Sequence, residues 1–241
     1  MRTYDICRQT RCQSEGPMKY RCLVLDHDDT VVNSTATIHY PAFREFMKTE
    51  KPEIHLTLEE YFLYNFEPGV ISLFRDICGL SENQMKQEEA FWRAYVRGHV
   101  PEVYEGLPKI LRRFQECGGI LCVVSHSFSD YIRRDYRQNG LPEPDIVFGW
   151  DMEAEKRKPS PFALEEIMRR FHLQPGEILV LDDLKPGYDM AKAAGVDFAA
   201  AGWANDVPEI AAFMQENCGR YFKRVSDFGA FLEQSMTDQD A

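Results

Sequence analysis

The residues best able to do chemistry follow a short apolar segment near the start of the chain. Residues 22–25 are four consecutive apolar residues, and Asp26 and Asp28 come directly after them. An apolar run without alternation is typical of a strand buried in a parallel sheet, and open α/β sheets bind ligands outside the carboxyl ends of such strands. Two carboxylates about 4 Å apart repel each other by roughly 1 kcal/mol in water and by about 4 kcal/mol at an effective dielectric constant near 20. We therefore expect the pair to bind a cation, or to keep one carboxyl protonated for proton transfer.

Two further apolar segments also end in polar side chains. Residues 120–124 lead into Ser125, and residues 178–181 lead into Asp182 and Asp183. Because the carboxyl ends of parallel strands meet at one edge of a sheet, these side chains are expected to converge with the first acidic pair.

A basic loop contributes the complementary charge. Lys158 lies between the second and third apolar segments, in the sequence KRKPSP. Acidic pairs, a hydroxyl and an ammonium group in one site provide a carboxylate nucleophile, a second carboxyl for proton transfer, metal ligands and donors to phosphate oxygens. This set indicates phosphoryl transfer.

The pattern of the remaining chain predicts how these residues are held. Strands alternate with helices from residue 104 onward, which indicates an α/β fold with a parallel, Rossmann-like sheet and helices on both faces. Apolar residues between 34 and 103 recur at helical spacing and predict a small all-α unit of four helices. The predicted division is a disordered N-terminal tail over 1–17, a catalytic core formed by 18–33 and 104–241, and a helical insert over 34–103.

Composition argues against several classes of protein. The chain has 241 residues and a net charge of −11, whereas a nucleic-acid-binding surface is basic. No apolar run approaches the roughly 20 residues of a membrane span, and the N-terminal residues lack the apolar core of a secretory signal. The seven cysteines include no pair at CxxC spacing, so no zinc site is expected. We expect a cytoplasmic protein without nucleic-acid or membrane partners, present as a monomer or weak dimer.

Four motifs, in this order along the chain, resemble those of the haloacid dehalogenase superfamily, and specifically its phosphatase branch. Residues 26–30, DHDDT, match the DxDxT first motif, and Ser125 matches the second motif. Lys158, in its KPxP context, matches the third motif, and Asp182 with Asp183 matches the acidic fourth motif. The helical insert between the first and second motifs resembles the mobile cap of many members.

The resemblance implies a role for each acidic residue. Asp26 is the expected nucleophile, which becomes an aspartyl phosphate, and Asp28 is the expected general acid and base. To donate a proton near neutral pH, Asp28 needs a raised pKa, and we expect the neighbouring carboxylates to raise it. Mg²⁺ is expected between Asp26, the backbone carbonyl of Asp28 and Asp183, with Asp182 as a further acidic candidate for the metal site.

The resemblance also implies contacts to the transferred phosphoryl group. Ser125 and Lys158 are expected to hold its oxygens, where fixed donors stabilise charge. Thr30 and His126 are further candidates for phosphate binding, although the sequence favours His126 as a loop histidine that hydrogen-bonds within the protein. In the insert, His39, Arg44 and Arg75 are candidates for contact with the substrate.

Two residues depart from the superfamily's pattern. Asp29 stands where many members have glycine, which leaves the local backbone geometry open. Gly187 stands where many members carry a second acidic residue of the fourth motif, so the role of Asp182 stays less defined than that of Asp183.

The function expected from these motifs is that of a Mg²⁺-dependent phosphatase acting on a small phosphorylated metabolite through an aspartyl-phosphate intermediate. Two alternatives remain open: a phosphomutase of the same superfamily, and a phosphate-binding protein without turnover.

Overall fold

The computed structural model describes residues 18–237, so the tail predicted over residues 1–17 lies outside the described residues. Eight strands are present in this part of the chain: β1 (Cys22–Leu25), β2 (Val32–Asn33), β3 (Glu102–Val103), β4 (Ile120–Val124), β5 (Ile146–Phe148), β6 (Ile178–Asp182), β7 (Asp197–Ala201) and β8 (Tyr221–Phe222). Six of them form one parallel sheet in the order β5-β4-β1-β6-β7-β8. The remaining two, β2 and β3, form a short antiparallel pair.

The register of the three central strands explains why polar residues far apart in sequence meet. Leu25, the last residue of β1, lies opposite Val123 on β4 and Leu181 on β6. The chain therefore leaves these three parallel strands at the same edge of the sheet. This edge is the carboxyl edge, where open α/β sheets bind their ligands.

Ten helices accompany the strands within the described residues: α1 (Tyr40–Glu50), α2 (Leu58–Phe66), α3 (Val70–Ser72), α4 (Glu82–Arg97), α5 (Leu107–Glu116), α6 (Ser129–Gln138), α7 (Phe162–Phe171), α8 (Lys185–Ala194), α9 (Pro208–Asn217) and α10 (Val225–Thr237). Residues Thr35–His39 and Leu73–Ile77 form π-helical turns, and Ala154–Lys156 and Pro175–Glu177 form 3-10 turns. Over residues 18–237, no helix combines the length and the apolar character that crossing a bilayer requires.

The central strands are apolar on both faces because both faces are covered by helices. On one face, Val24 packs with side chains of α7, α8 and α9. On the other face, Leu23 and Leu25 pack with side chains of α5, α6 and α10. Fully burying one such aliphatic side chain stabilises the fold by about 1.5–3 kcal/mol. The predicted α/β fold, a parallel sheet with helices on both faces and a small all-α unit, is confirmed.

Helices α1 to α4 all fall within the predicted insert, residues 34–103, and share a separate apolar core. That core contains mainly aromatic and long aliphatic side chains: Phe43, Phe46, Met47, Tyr61, Leu73 and Phe74. Thr57 and Ser81 begin α2 and α4 with complete capping boxes, which satisfy backbone donors that a helix start leaves unpaired. At the root of the insert, β2 and β3 hold its two connecting segments together through the pair Val32 and Val103.

Candidate active site

Asp26 lies at the carboxyl edge of the sheet and is held by a buried lysine. Its backbone N–H donates to the carbonyl of Leu181, 2.9 Å away, which extends the β1–β6 pairing by one residue. Lys158 Nζ lies 2.8 Å from Asp26 Oδ1 and 2.6 Å from Asp182 Oδ2, and its side chain is 4% exposed. Burial raises the pKa of Asp26 to about 7; Lys158 opposes this rise, and the charges of Asp182 and Asp28 add to it.

Asp182 is already satisfied by protein donors. Its Oδ2 accepts from Lys158 and its Oδ1 accepts from the backbone N–H of Leu184 at 2.9 Å. Gly187 lets α8 begin directly against this carboxylate, because a Cβ there would lie 2.0 Å from Asp182 Oδ2. The structure thus gives a steric reason for glycine at the position where many superfamily members carry an acidic residue, and it makes Asp182 a residue that holds Lys158.

Asp183 is placed differently from its neighbour. Its Oδ1 accepts from Thr30 Oγ1 at 3.2 Å, and its Oδ2 is buried without a hydrogen-bond partner among the described residues. Burial raises the pKa of Asp183, and the charges of Asp29 and Asp182 raise it further. A buried carboxylate oxygen without a donor costs free energy unless a cation or a proton satisfies it.

The acidic residues of this edge fit the Mg²⁺ site expected from the sequence. Carboxylate oxygens of Asp26, Asp182 and Asp183 all lie within 4.8 Å of one another, and all three residues are buried. Mg²⁺ prefers such hard oxygen ligands, commonly one or two carboxylates completed by substrate oxygens and water. Since the oxygens of Asp182 are occupied, Asp26 and Asp183 are the side chains best suited to hold the ion.

Asp28 is surrounded by hydrogen-bond donors. Ser34 Oγ and His39 Nε2 lie 2.6 Å and 2.9 Å from Asp28 Oδ1, and Ser127 Oγ lies 2.5 Å from Oδ2. Trp92 Nε1 donates to His39 Nδ1 at 3.0 Å and orients the imidazole ring.

The expectation of a raised pKa for Asp28 is wrong in this arrangement. Burial alone would raise the pKa of Asp28, but His39, and next His27 and the Ser127 hydroxyl, outweigh burial and hold that pKa well below its usual range. His39 comes from the insert, and its contact here is with Asp28, which the sequence analysis did not anticipate.

The second predicted motif lies on the turn between β4 and α6. Ser125 Oγ accepts from the backbone N–H of Ser127 at 3.2 Å, and its side chain lines the cleft beside Asp26. His126 Nε2 lies 3.1 Å from the carbonyl of Lys158, which corresponds to a loop histidine bonded within the protein. Burial, and next the charge of Lys158, lower the pKa of His126 to about 4, so it is neutral at pH 7.

Thr30 and Asp29 support the site from behind. Thr30 is completely buried, and its hydroxyl is used by Asp183, which favours a supporting role over direct phosphate contact. Asp29 adopts the left-handed backbone conformation, with φ of 59°, that glycine would adopt at this position. Its Oδ1 accepts from the backbone N–H of Thr35 at 3.1 Å and so ties the first motif to the entrance of the insert.

The insert covers part of the site, and a partly open cavity of about 280 Å³ lies between the insert and the sheet edge. Asp26, Asp28, Ser125, His126 and Lys158 all line this cavity, together with residues from α2 and α4. The structure therefore brings the predicted catalytic and phosphate-binding residues together, apart from Thr30. Sequence reasoning missed Ser34, Ser127 and Trp92, which belong to no motif. Ser34 is close to Asp28 in sequence, whereas Ser127 and Trp92 reach their partners across the fold.

The chain is similar to known hydrolases in sequence. A family model described as haloacid dehalogenase-like hydrolase matches residues 23–201. Over 100 residues the chain is 31% identical to the phosphoglycolate phosphatases of two strains of Vibrio vulnificus, which is 41% of this chain and 43% of each relative. The matched stretch thus spans less than half the length of these relatives.

Solved structures share the fold at lower identity. A predicted phosphoglycolate phosphatase from Haemophilus somnus is 18% identical with a TM-score of 0.73, covering 90% of this chain and 99% of that one. CbbY from Rhodobacter sphaeroides, in complex with phosphate, is 20% identical with a TM-score of 0.66, covering 89% and 99%. Because the family model spans residues 23–201, well over half of the 241 residues, the chain belongs to the haloacid dehalogenase-like hydrolases, and the superfamily recognised from its four motifs is confirmed.

Proposed function

We propose that the protein is a Mg²⁺-dependent phosphatase that hydrolyses a small phosphorylated metabolite through an aspartyl phosphate. The observation that carries this proposal is the placement of Asp26 in a cavity beneath the insert, with Lys158 bonded to it and Asp183 close by with an unpaired carboxylate oxygen. The named activity of the Vibrio vulnificus relatives supports the same reaction class.

In the first step, a carboxylate oxygen of Asp26 attacks phosphorus and the bond to the ester oxygen breaks. Lys158 and Ser125 lie beside Asp26 in the cavity, where their donors can hold phosphoryl oxygens as charge develops. When bound, Mg²⁺ would offset the repulsion between the anionic ester and the anionic nucleophile.

Asp28 moves the proton in both steps. The negative charge of a phosphate ester bound beside Asp28 favours protonation of its carboxyl, and that proton passes to the leaving oxygen. In the second step, water attacks the aspartyl phosphate, Asp28 accepts a proton from the water, and cleavage of the phosphorus–oxygen bond restores Asp26. Ser34, His39 and Ser127 hold the Asp28 carboxylate in place between the steps.

The test is hydrolysis of 4-nitrophenyl phosphate by the wild-type protein and by Asp26→Asn, each with Mg²⁺ and with EDTA. We expect turnover that requires Mg²⁺ and is lost in Asp26→Asn. The matched control is Asp189→Asn, on α8, whose carboxylate pairs with Lys185 outside the cavity and whose loss should leave turnover unchanged. Turnover that persists in Asp26→Asn, or that is indifferent to EDTA, would contradict the proposal.

A further inference from the structure

Besides the residues of the catalytic motifs, many aromatic side chains line the cavity, and they limit which ester fits. Six aromatic residues line the cavity, three from the insert before α4, one from α4 and two from the loops of the core: Tyr61, Phe62, Phe74, Trp92, Phe128 and Trp150. Aromatic and apolar walls favour an apolar ligand group, and burying an unpaired carboxylate against them is costly.

Two carboxylates of α4, those of Glu88 and Glu89, also line the cavity, and Glu88 is the less exposed of the two. Glu88 projects from α4, lines the cavity, and makes no hydrogen bond or ion pair with any described residue. Burial, and next the charge of Glu89, raise the pKa of Glu88 to about 7, and the opposing effect of His39 is too small to cancel the rise. A carboxyl group in such surroundings is best satisfied by a ligand that donates a hydrogen bond or carries a positive charge.

The charges contributed by the insert do not suit an acidic ligand group. Within the described residues, Lys86 is the only lysine or arginine of the insert that lines the cavity; it is solvent-exposed, and Glu88 and Glu89 stand near it on the same helix. His39, the other basic residue of the insert that lines the cavity, is already hydrogen-bonded to Asp28, so the insert offers no unpaired buried cation to the carboxylate of a two-carbon phosphorylated acid. Such a ligand would also fill only the phosphate end of a cavity of about 280 Å³.

We propose that the preferred substrate is a phosphate monoester whose organic part is mainly apolar or aromatic and carries a hydroxyl or ammonium group that meets Glu88. This inference rests on the proposed phosphatase function and separates the chain from its relatives named as phosphoglycolate phosphatases. Glu88 is the specificity-determining residue, and the aromatic wall provides the apolar contact.

The experiment compares esters that share one shape and differ in charge: phenyl phosphate, 4-(aminomethyl)phenyl phosphate and 4-carboxyphenyl phosphate, with 2-phosphoglycolate as a fourth substrate. Phosphate release is measured with Mg²⁺ as kcat/KM for each ester. We expect the aminomethyl ester to be preferred over the carboxy ester by about 10- to 100-fold, the range typical of one charge-assisted contact. Glu88→Gln should bring this ratio close to one, whereas Glu82→Gln, at the exposed start of the same helix and outside the cavity, should preserve it.

A second measurement keeps the inference separate from the proposed reaction. Binding of the same esters to Asp26→Asn by calorimetry reports the preference without any turnover. Preference for 2-phosphoglycolate or for the carboxy ester, or a ratio that Glu88→Gln leaves unchanged, would overturn the inference even if turnover is robust. If no ester is hydrolysed, the phosphatase proposal fails, and the binding ratio in Asp26→Asn still decides the role of Glu88.

Discussion

Replacing Lys158 with methionine should destabilise the protein strongly, because Lys158 is the buried cation between two buried carboxylates. Its Nζ lies 2.8 Å from Asp26 Oδ1 and 2.6 Å from Asp182 Oδ2. At an effective dielectric constant near 20, each of these contacts amounts to about 6 kcal/mol of attraction. Desolvation of the ammonium offsets several kcal/mol of that attraction, so we expect the free energy of unfolding to fall by about 3–5 kcal/mol when this partner is removed.

The assay is urea unfolding at pH 7.5 in EDTA, since a divalent cation near the same carboxylates would replace part of the lost charge. The two carboxylates raise the pKa of Lys158 above its usual value, despite burial. Its contribution is therefore fully present below the unfolded-state pKa of about 10.4 and is lost only at higher pH. Phosphatase activity measured with Mg²⁺ should fall by about 100-fold or more in the same variant, because Lys158 is the proposed fixed donor to the phosphoryl group.

Lys185→Met is the matched control. Lys185 also pairs with two carboxylates, those of Asp189 at 3.1 Å and Glu67 at 3.4 Å, but its side chain is 25% exposed. Exposed pairs contribute at most about 1 kcal/mol, so this variant should unfold almost as the wild type does. A decrease in the free energy of unfolding of less than about 1 kcal/mol in Lys158→Met, or one no larger than in Lys185→Met, would refute the claim that the buried ion pairs of Lys158 stabilise the fold.

Three further variants test individual contacts. Burial lowers the pKa of His126 to about 4, below its unfolded-state value. The folded protein therefore loses stability as pH falls from about 6.5 toward 4, because the unfolded chain binds the proton more readily. His126→Gln should reduce that loss of stability by up to about 3 kcal/mol in urea titrations. Gly187→Ala places a methyl group 2.0 Å from Asp182 Oδ2, and it should cost about 1–3 kcal/mol of stability and lower kcat. Asp29→Gly keeps the backbone conformation but removes the acceptor for the Thr35 N–H, and hydrogen exchange at that amide should accelerate.

Each of these variants has a discriminating comparison. Gly176→Ala adds the same methyl group where no atom lies within 4 Å. An equal loss of stability in that variant would show that the effect of Gly187→Ala is not due to the contact with Asp182. Asp29→Asn keeps an acceptor oxygen, so exchange as fast as in Asp29→Gly would show that the hydrogen bond does not hold the entrance of the insert. Equal acid sensitivity of wild type and His126→Gln would remove His126 as the source of the pH dependence.

Much of the fold follows from patterns that are local in the sequence. Apolar runs without alternation mark the central strands, and their carboxyl ends carry Asp26, Ser125 and Asp182, which the register places at one edge. The pairing of β2 with β3 was not predicted, because two-residue strands have no periodicity to detect. The cap-like insert was predicted from helical spacing, but its position above the sheet edge depends on docking that no local pattern records.

The sequence by itself determined which side chains reach the carboxyl edge, because strand order along the chain and the residues following each strand are properties of the chain. Only the tertiary structure decided the burial, hydrogen-bond partners and pKa values of those side chains. His39 lies 11 residues from Asp28 and lowers its pKa, and Lys158 lies 132 residues from Asp26 and bonds to it. Glu88 has its unpartnered position because α4 docks over the cavity. The pKa values and ion pairs of the site depend on distance, burial and charge between residues that are remote in sequence. These contacts form only when the insert and the sheet pack together.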